Sequence, residues 1–234
     1  MNGYILLEGG AEFGGGMVVP DLRAIELAGG FEALVRIIPA AAAPDHNDQR
    51  AGQNGVRWFQ SLGAKDVKAV PLVDRASADS DPIAAELRRA RLIYLLGGFP
   101  GYLGKTLLGS LSWQAMKEAY QVGAVIAGSS AGAMVLCQSF YSPETGEILE
   151  GLNMVPKACV IPHHDTFGKS WAAKLSTLLP GFTLIGIDEQ TGMIDDGRRG
   201  VWNVYGKGGV TLYQDGNIGQ FGNKEIRMVS DESE

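Results

Sequence analysis

The chain has 234 residues, of which 33 are glycine, 45% are hydrophobic and 20% are charged, and its formal net charge is −6. This apolar content is too high for a disordered chain, and the negative charge argues against a nucleic-acid-binding surface, which requires a basic stripe. Two cysteines are too few for a disulfide framework, and both lie in apolar runs typical of buried side chains.

The length suits one α/β domain covering residues 1–234, with its core at about 4–213 and a C-terminal hairpin and acidic tail after it. The first residues lack the basic segment and long apolar run of a signal peptide, and no uncharged stretch is long enough to span a bilayer. We therefore expect a cytoplasmic protein with neither a membrane nor a nucleic acid among its partners.

Short apolar runs alternate with segments of helical periodicity in the first half of the chain. Strands are predicted at residues 4–7, 34–38, 67–73, 92–96 and 124–127, and helices at 20–28, 48–62, 81–90, 106–121 and 131–138. Continuous runs of Val, Ile and Leu are typical of strands buried on both faces, so the pattern predicts a doubly wound, mostly parallel sheet covered by helices. Ligands of such sheets bind beyond the carboxyl ends of the strands, which directs attention to the loops there.

The second half of the chain has a different pattern. Residues 139–156 are predicted as loop, and strands at 158–161 and 183–187 flank a helix near 170–179. From Thr191 onward, short strands alternate with Gly and Asp turns, which predicts antiparallel hairpins at a sheet edge. In the helix at 81–90 we expect Asp81 to be the N-cap. We expect the last four residues of the chain, 231–234, to be a solvated tail.

The segment Gly128–Gly132, with the sequence GSSAG, fits the G-x-S-x-G motif and lies between a predicted buried strand and a helix. In that context the turn exposes the Ser130 hydroxyl above the sheet, and the backbone N–H of Ala131 faces an oxyanion formed on attack. A serine that attacks carbonyl groups is therefore predicted at position 130.

A serine nucleophile needs a base, and the chain has three histidines. His46 lies in a polar loop, where we expect it to be exposed. His163 and His164 follow the predicted strand at 158–161, and because neighbouring residues leaving a strand point in opposite directions, one of the two is expected to face the site.

The acid that orients the base is expected at Asp188 or Glu189, just after the strand at 183–187. Three other acids, Glu144, Glu147 and Glu150, lie in a polar segment that we expect to be solvated. The order serine, histidine, acid differs from that of the α/β-hydrolases.

The pair Gly97-Gly98 follows the fourth strand, where the Gly98 N–H can serve as a second oxyanion donor. The stretch from Gly98 to Thr106 also approximates a phosphate-binding loop. It has five residues between the glycines where that motif has four, and Pro100 lacks an N–H, so nucleotide binding is disfavoured.

These motifs, together with Leu7–Gly10 and Gly186–Thr191, resemble the serine peptidase family that contains α-aspartyl dipeptidase (dipeptidase E) and cyanophycinase. The resemblance covers roughly residues 4 to 213. It implies a flavodoxin-like fold like that of class I glutamine amidotransferases, with a serine in place of their cysteine.

Carried over to this chain, the resemblance implies Ser130 as nucleophile, His164 as base and Glu189 as acid, with His163 and Asp188 as the alternatives. Gly98 and Ala131 would supply the oxyanion N–H groups. His164 is preferred to His163 because its distance from Leu175 fits the family's spacing between the histidine and the following helix.

The expected function is hydrolysis of short peptides or isopeptides through an acyl-enzyme, with no cofactor and no metal, and with a homodimer left open. The basic residues that the family carries after the histidine are reduced here to Lys169, so the preference for aspartyl substrates is undecided. The alternative is a non-catalytic, amidotransferase-like module that binds a small ligand.

Overall fold

The computed structural model describes residues 2–197, 201–222 and 225–227. The strands are β1 (Tyr4–Glu8), β2 (Leu34–Ile38), β3 (Asp66–Ala69), β4 (Leu92–Leu95), β5 (Val125–Ser129), β6 (Ser139–Ser142), β7 (Glu147–Glu150), β8 (Ala158–Ile161), β9 (Thr183–Ile187), β10 (Thr191–Ile194), β11 (Val201–Gly206), β12 (Val210–Gln214), β13 (Asn217–Phe221) and β14 (Glu225–Arg227). The helices are α1 (Val18–Leu27), α2 (Asp48–Ser61), α3 (Arg75–Ala78), α4 (Asp81–Arg89), α5 (Pro100–Leu107), α6 (Leu111–Gln121), α7 (Ala131–Leu136) and α8 (Ala172–Leu178).

The largest sheet has eight strands in the order β14-β11-β10-β1-β5-β4-β2-β3. The five strands from β1 to β3 in this order run parallel, and β10, β11 and β14 extend the sheet with antiparallel pairings. In the register of the sheet, Leu6 of β1 lies between Ala127 of β5 and Ile194 of β10. The carboxyl ends of β1, β4 and β5 therefore lie side by side at one edge.

Helices cover both faces of this sheet because its central strands are apolar on both sides. On one face, α1 and α2 pack through Ile25 and Phe59. On the other face, α4 to α7 pack through side chains such as Leu87, Met116 and Val135. The predicted α/β, flavodoxin-like architecture with antiparallel C-terminal strands is confirmed.

A second sheet has the order β13-β12-β9-β8, in which β8 and β9 are parallel and the others antiparallel. Helix α8 packs on it through Leu175, against Cys159 and Leu184. Both cysteines are buried and free, as expected. This sheet brings the ends of β8 and β9 next to the end of β1, since His163 N–H donates to Gly9 O at 2.7 Å.

The single helix predicted at 106–121 is wrong, because two helices, α5 and α6, occupy residues 100–121. Gly109 adopts a left-handed conformation (φ 72°) that ends the first helix. Ser110 then caps the second, its hydroxyl accepting a hydrogen bond from Trp113 N–H. The Gly109-Ser110 pair is the sequence signal for this break, since Gly commonly ends a helix and Ser commonly caps the next one.

Three other expectations for local structure are corrected. Residues 139–156, predicted as loop, contain the hairpin β6–β7. The third strand ends at Ala69, shortly before Pro71, which has no N–H to donate to a ladder. Asp81 is the first residue of α4, whose N-cap position belongs to Ser80. The tail predicted at 231–234 lies outside the described residues.

Within the described part of the chain, every helix falls short of the length and apolar character that crossing a bilayer demands.

Candidate active site

Ser130 occupies the sharp turn between β5 and α7, as predicted. Its backbone has φ 48° and ψ −110°, a combination that L-residues rarely adopt and that is found where a turn is held by its surroundings. The Ser130 N–H donates to Glu8 O at the end of β1, at 3.0 Å. The turn leaves the Ser130 side chain partly exposed above the sheet.

Two glycines make this turn sterically possible. A Cβ on Gly128 would lie 2.4 Å from the Gly132 carbonyl carbon, and a Cβ on Gly132 would lie 2.2 Å from Leu95 O. Any side chain at these positions would push α7 away from β4 and β5. The glycines of the motif therefore permit the close packing on which the position of Ser130 depends.

His163 links Ser130 to Glu189. Its Nε2 lies 3.0 Å from Ser130 Oγ, and its Nδ1 lies 2.8 Å from Glu189 Oε1. Because a carboxylate only accepts hydrogen bonds, we assign the imidazole proton to Nδ1, which leaves Nε2 free to accept the Ser130 hydroxyl proton. The three side chains form one hydrogen-bonded chain at the edge of the sheet.

The expectation that His164 faces Ser130 is corrected. His164 points to the other side, where its Nε2 lies 2.8 Å from the Tyr213 hydroxyl and its Nδ1 lies 3.5 Å from Asp188 Oδ1. Its side chain is buried, whereas that of His163 is 20% exposed. The alternative residue, His163, is the one that the structure brings to Ser130.

Backbone conformation explains why His163 faces the serine. His163 adopts a left-handed conformation (φ 49°) and donates its N–H to Gly9 O. Gly10 provides space for the ring, since a Cβ there would lie 2.3 Å from His163 Cε1. The family spacing counted from Leu175 carried no information about this turn.

The structure places Glu189, the preferred acid, beside His163, and Asp188, the alternative, beside His164. Glu189 N–H donates to Asp165 Oδ1 at 2.8 Å, and Asp188 Oδ2 accepts from Gly209 N–H at 2.9 Å.

The rival acids Glu144, Glu147 and Glu150 are exposed in and around the hairpin β6–β7, as expected.

Gly98 and Ala131, the expected oxyanion donors, lie at the ends of β4 and β5. Among the described residues, neither N–H group has a hydrogen-bond acceptor. Gly98 is held by close contact, since a Cβ there would lie 2.3 Å from Ala41 O.

Lys105 and Thr106 lie in the last turn of α5, which does not fit the phosphate-loop alternative.

Glu12 borders the same site and is absent from the sequence-based candidates. Its carboxylate accepts from the Ser129 hydroxyl at 2.9 Å and from Gly97 N–H at 3.3 Å. A cavity of about 400 Å³ opens beside it, with Asp45 and Arg50 among the lining residues. A glutamate two residues after a Gly-Gly pair at a strand end is the sequence signal that could have identified it.

A buried acid pair lies behind the serine turn and was also missed. Glu8 and Asp21 are both fully buried; Tyr94 donates its hydroxyl to Glu8, and Trp58 Nε1 donates to Asp21 Oδ2 at 2.7 Å. Burial, with repulsion from Asp21, raises the pKa of Glu8 well above its usual value, and burial raises the pKa of Asp21 to about 7. A proton held between the two carboxyls accounts for Glu8 Oε1 and Asp21 Oδ1, which otherwise have no donor in the described structure.

Across residues 2–197, 201–222 and 225–227, no three His, Cys, Asp or Glu side chains are grouped in a way that could hold a metal ion.

The chain is similar to known proteins in both sequence and structure. The model of peptidase family S51 matches residues 6–199. Cyanophycinases from Synechococcus elongatus and Trichormus variabilis are each 28% identical to the chain, over 199 and 196 residues. The alignments cover 79% of this chain but 60% and 64% of those proteins, so the chain spans less than two thirds of their length.

Solved structures extend the likeness to nearly the full chain. A crystal structure of a peptidase from an acI-B1 Actinobacterium is 30% identical, covers 97% of this chain and 98% of its own, and superposes with a TM-score of 0.88. A protein from Listeria monocytogenes EGD-e that carries the peptidase E name is 18% identical, covers 92% of this chain and 99% of its own, and has a TM-score of 0.63, which shows a shared fold. The chain belongs to peptidase family S51, a family of serine-type hydrolases.

Proposed function

We propose that this protein hydrolyses short peptides or isopeptides through an acyl-enzyme formed on Ser130, with His163 as the base and Glu189 as the acid that orients it. The observation that carries the proposal is the His163 ring, which lies within hydrogen-bond distance of both Ser130 Oγ and Glu189 Oε1. This is the geometry that a nucleophilic serine requires.

In the acylation step, Ser130 Oγ bonds to the carbonyl carbon of the substrate while His163 Nε2 takes the hydroxyl proton. The negative oxygen of the tetrahedral intermediate is stabilised by the N–H groups of Gly98 and Ala131. The C–N bond then breaks, and His163 gives its proton to the departing amine. Glu189 stabilises the imidazolium that exists between these two proton transfers.

In the deacylation step, water replaces the amine. His163 Nε2 takes a proton from the water as its oxygen attacks the acyl carbon, and the same nitrogen returns the proton to Ser130 Oγ as the ester bond breaks. The products are a carboxylic acid and the free enzyme. No group beyond the three side chains and the two N–H donors is used.

The cavity beside Glu12 supports a small, polar residue on the acyl side of the bond. Its charged lining residues are Glu12, Asp45 and Arg50, and its volume of about 400 Å³ falls in the range of small-ligand sites. The cyanophycinase relatives support an isopeptide among the substrates. Aspartyl, β-aspartyl and alanyl dipeptides therefore form the first panel to assay.

A fluorophosphonate probe tests the nucleophile directly. We expect the folded protein to be labelled, labelling to be lost in Ser130→Ala, and labelling to persist in Ser61→Ala, which removes a hydroxyl on the exposed end of α2. Mass spectrometry of the labelled peptide locates the modified residue. A folded sample that stays unlabelled would instead favour the non-catalytic binding module, and a label that survives Ser130→Ala would contradict Ser130 as the nucleophile.

A further inference from the structure

An exposed aromatic ring lies directly on the candidate base. The Phe167 side chain stacks on the His163 ring with centroids 4.9 Å apart and planes 23° apart, yet Phe167 is 53% exposed. A large apolar side chain in this position leaves one face in water. Such exposure beside reacting groups marks a surface that a ligand can cover.

The position of Phe167 is fixed by the backbone around His163. The His163 carbonyl oxygen accepts hydrogen bonds from Thr166 N–H, Thr166 Oγ1 and Gly168 N–H at 2.9 to 3.1 Å. Gly168 lies so close that a Cβ there would be 2.0 Å from Pro162 O. This tight turn folds the chain back and holds the Phe167 ring over the imidazole.

The aromatic surface continues from Phe167 to two further rings. Phe167 contacts Trp171 with ring centroids 5.6 Å apart, and Trp171 contacts Tyr141 at 5.1 Å. Trp171 and Tyr141 are partly exposed. We call the three rings Phe167, Trp171 and Tyr141 the aromatic shelf.

The chemistry of acylation places the shelf on the leaving side of the substrate. His163 Nε2 must protonate the departing amine, so the residue that carries this amine lies next to the His163 ring. The cavity assigned to the acyl residue is lined by segments 11–13, 42–54 and 97–99, none of which contributes to the shelf. The two sides of the scissile bond therefore meet different surfaces.

We propose that the aromatic shelf is the subsite for the leaving residue and selects an apolar or aromatic side chain there. This inference rests on the proposed function. Covering Phe167 with an apolar side chain removes apolar area from water, whereas glycine leaves the ring exposed and a charged side chain loses hydration against it. A leaving residue that makes one such apolar contact should have a kcat/KM roughly tenfold higher than one that does not.

The test compares dipeptides that share one acyl residue and differ in the leaving residue, Phe, Leu, Gly or Asp. For the wild type, we expect kcat/KM for Phe to exceed that for Gly by about tenfold. In Phe167→Ala, this ratio should fall toward one. Phe31→Ala removes another half-exposed ring, one that faces Gly63, and should retain the wild-type ratio. For peptides that are bound but not cleaved, protection of Ser130 from the fluorophosphonate gives the same comparison.

The ratio separates a specificity role from a structural one. If Phe167 only shields or supports His163, its loss lowers kcat/KM for the Phe and Gly peptides by the same factor, and the unchanged ratio overturns the inference. A wild-type ratio near one also overturns it, while labelling of Ser130 would leave the proposed function intact. Absence of labelling at Ser130 would remove both.

Discussion

Two adjacent histidines have separate hydrogen-bond partners in this protein. His163 pairs with Glu189 and Ser130, while His164 pairs with Asp188 and Tyr213. The alternation of side chains along the two segments after β8 and β9 sorts the four residues into two separate pairs, His163 with Glu189 and His164 with Asp188. Only the pair of His163 and Glu189 is linked to the serine.

Matched substitutions of the histidines test this assignment. We expect His163→Gln to lower kcat/KM on a cleaved dipeptide by about 100-fold or more, because the amide cannot take and return the proton. His164→Gln should cost about tenfold at most, since its amide can still bond to Tyr213. Steady-state kinetics on variants with matched melting temperatures gives the comparison, and a larger loss in His164→Gln would contradict the assignment of the base.

Close packing between turn and strand positions the nucleophile. The turn from β5 to α7 presses against the carboxyl end of β4, with Gly132 against the Leu95 carbonyl. The turn after β1 presses in the same way against the His163 ring through Gly10. Backbones that approach this closely leave no room for a Cβ, so the geometry of the site is tied to the stability of these contacts.

We expect Gly132→Ala to destabilise the protein by roughly 1–3 kcal/mol, because the added methyl group would overlap Leu95 O and force α7 outward. Urea unfolding at fixed pH measures the free energy change. The control is Gly15→Ala, where an added Cβ meets nothing within 4 Å and a change within about 0.5 kcal/mol is expected. Equal losses in the two variants would contradict the packing argument.

The buried acid pair joins four elements of the fold. Glu8 lies on β1, Asp21 on α1, Trp58 on α2 and Tyr94 on β4, so the network connects the sheet to the helices on one of its faces. Burial raises the pKa of Asp21 to about 7 and that of Glu8 well above its usual value, which means that the folded protein holds protons here that the unfolded chain releases. Burial also raises the pKa of Asp195 to about 7.

This shift predicts that the free energy of unfolding falls as the pH rises. Below the usual Asp value of 3.8, the folded and unfolded states both hold the Asp21 proton and its contribution is fully present. Between there and about pH 7 the folded state binds more protons, so stability is lost with rising pH, by an amount on the order of a few kcal/mol. Urea unfolding at pH 5 and pH 8 should show the decrease.

Asp21→Asn isolates the contribution of the pair. The amide mimics the neutral acid and keeps an acceptor for Trp58, so the decrease between pH 5 and pH 8 should be smaller than in the wild type. Because burial also raises the pKa of Asp195, part of the pH dependence of stability remains in Asp21→Asn. Asp215→Asn, in the exposed turn between β12 and β13, should follow the wild-type curve. Identical slopes for Asp21→Asn and the wild type would show that Asp21 holds no extra proton in the folded state.

Local sequence patterns were sufficient to predict the parallel sheet, the serine turn and the strand ends at which the site lies. Hydrophobic runs and glycine positions encode these features over a few residues, so they can be recognised without the rest of the molecule. Tertiary contacts decided which histidine meets Ser130, because the left-handed turn at His163 depends on the Gly9 carbonyl far away in the chain. They also decided the pairing of Glu8 with Asp21 and the placing of Phe167 on the imidazole, since each requires separate segments to be packed before the side chains can meet.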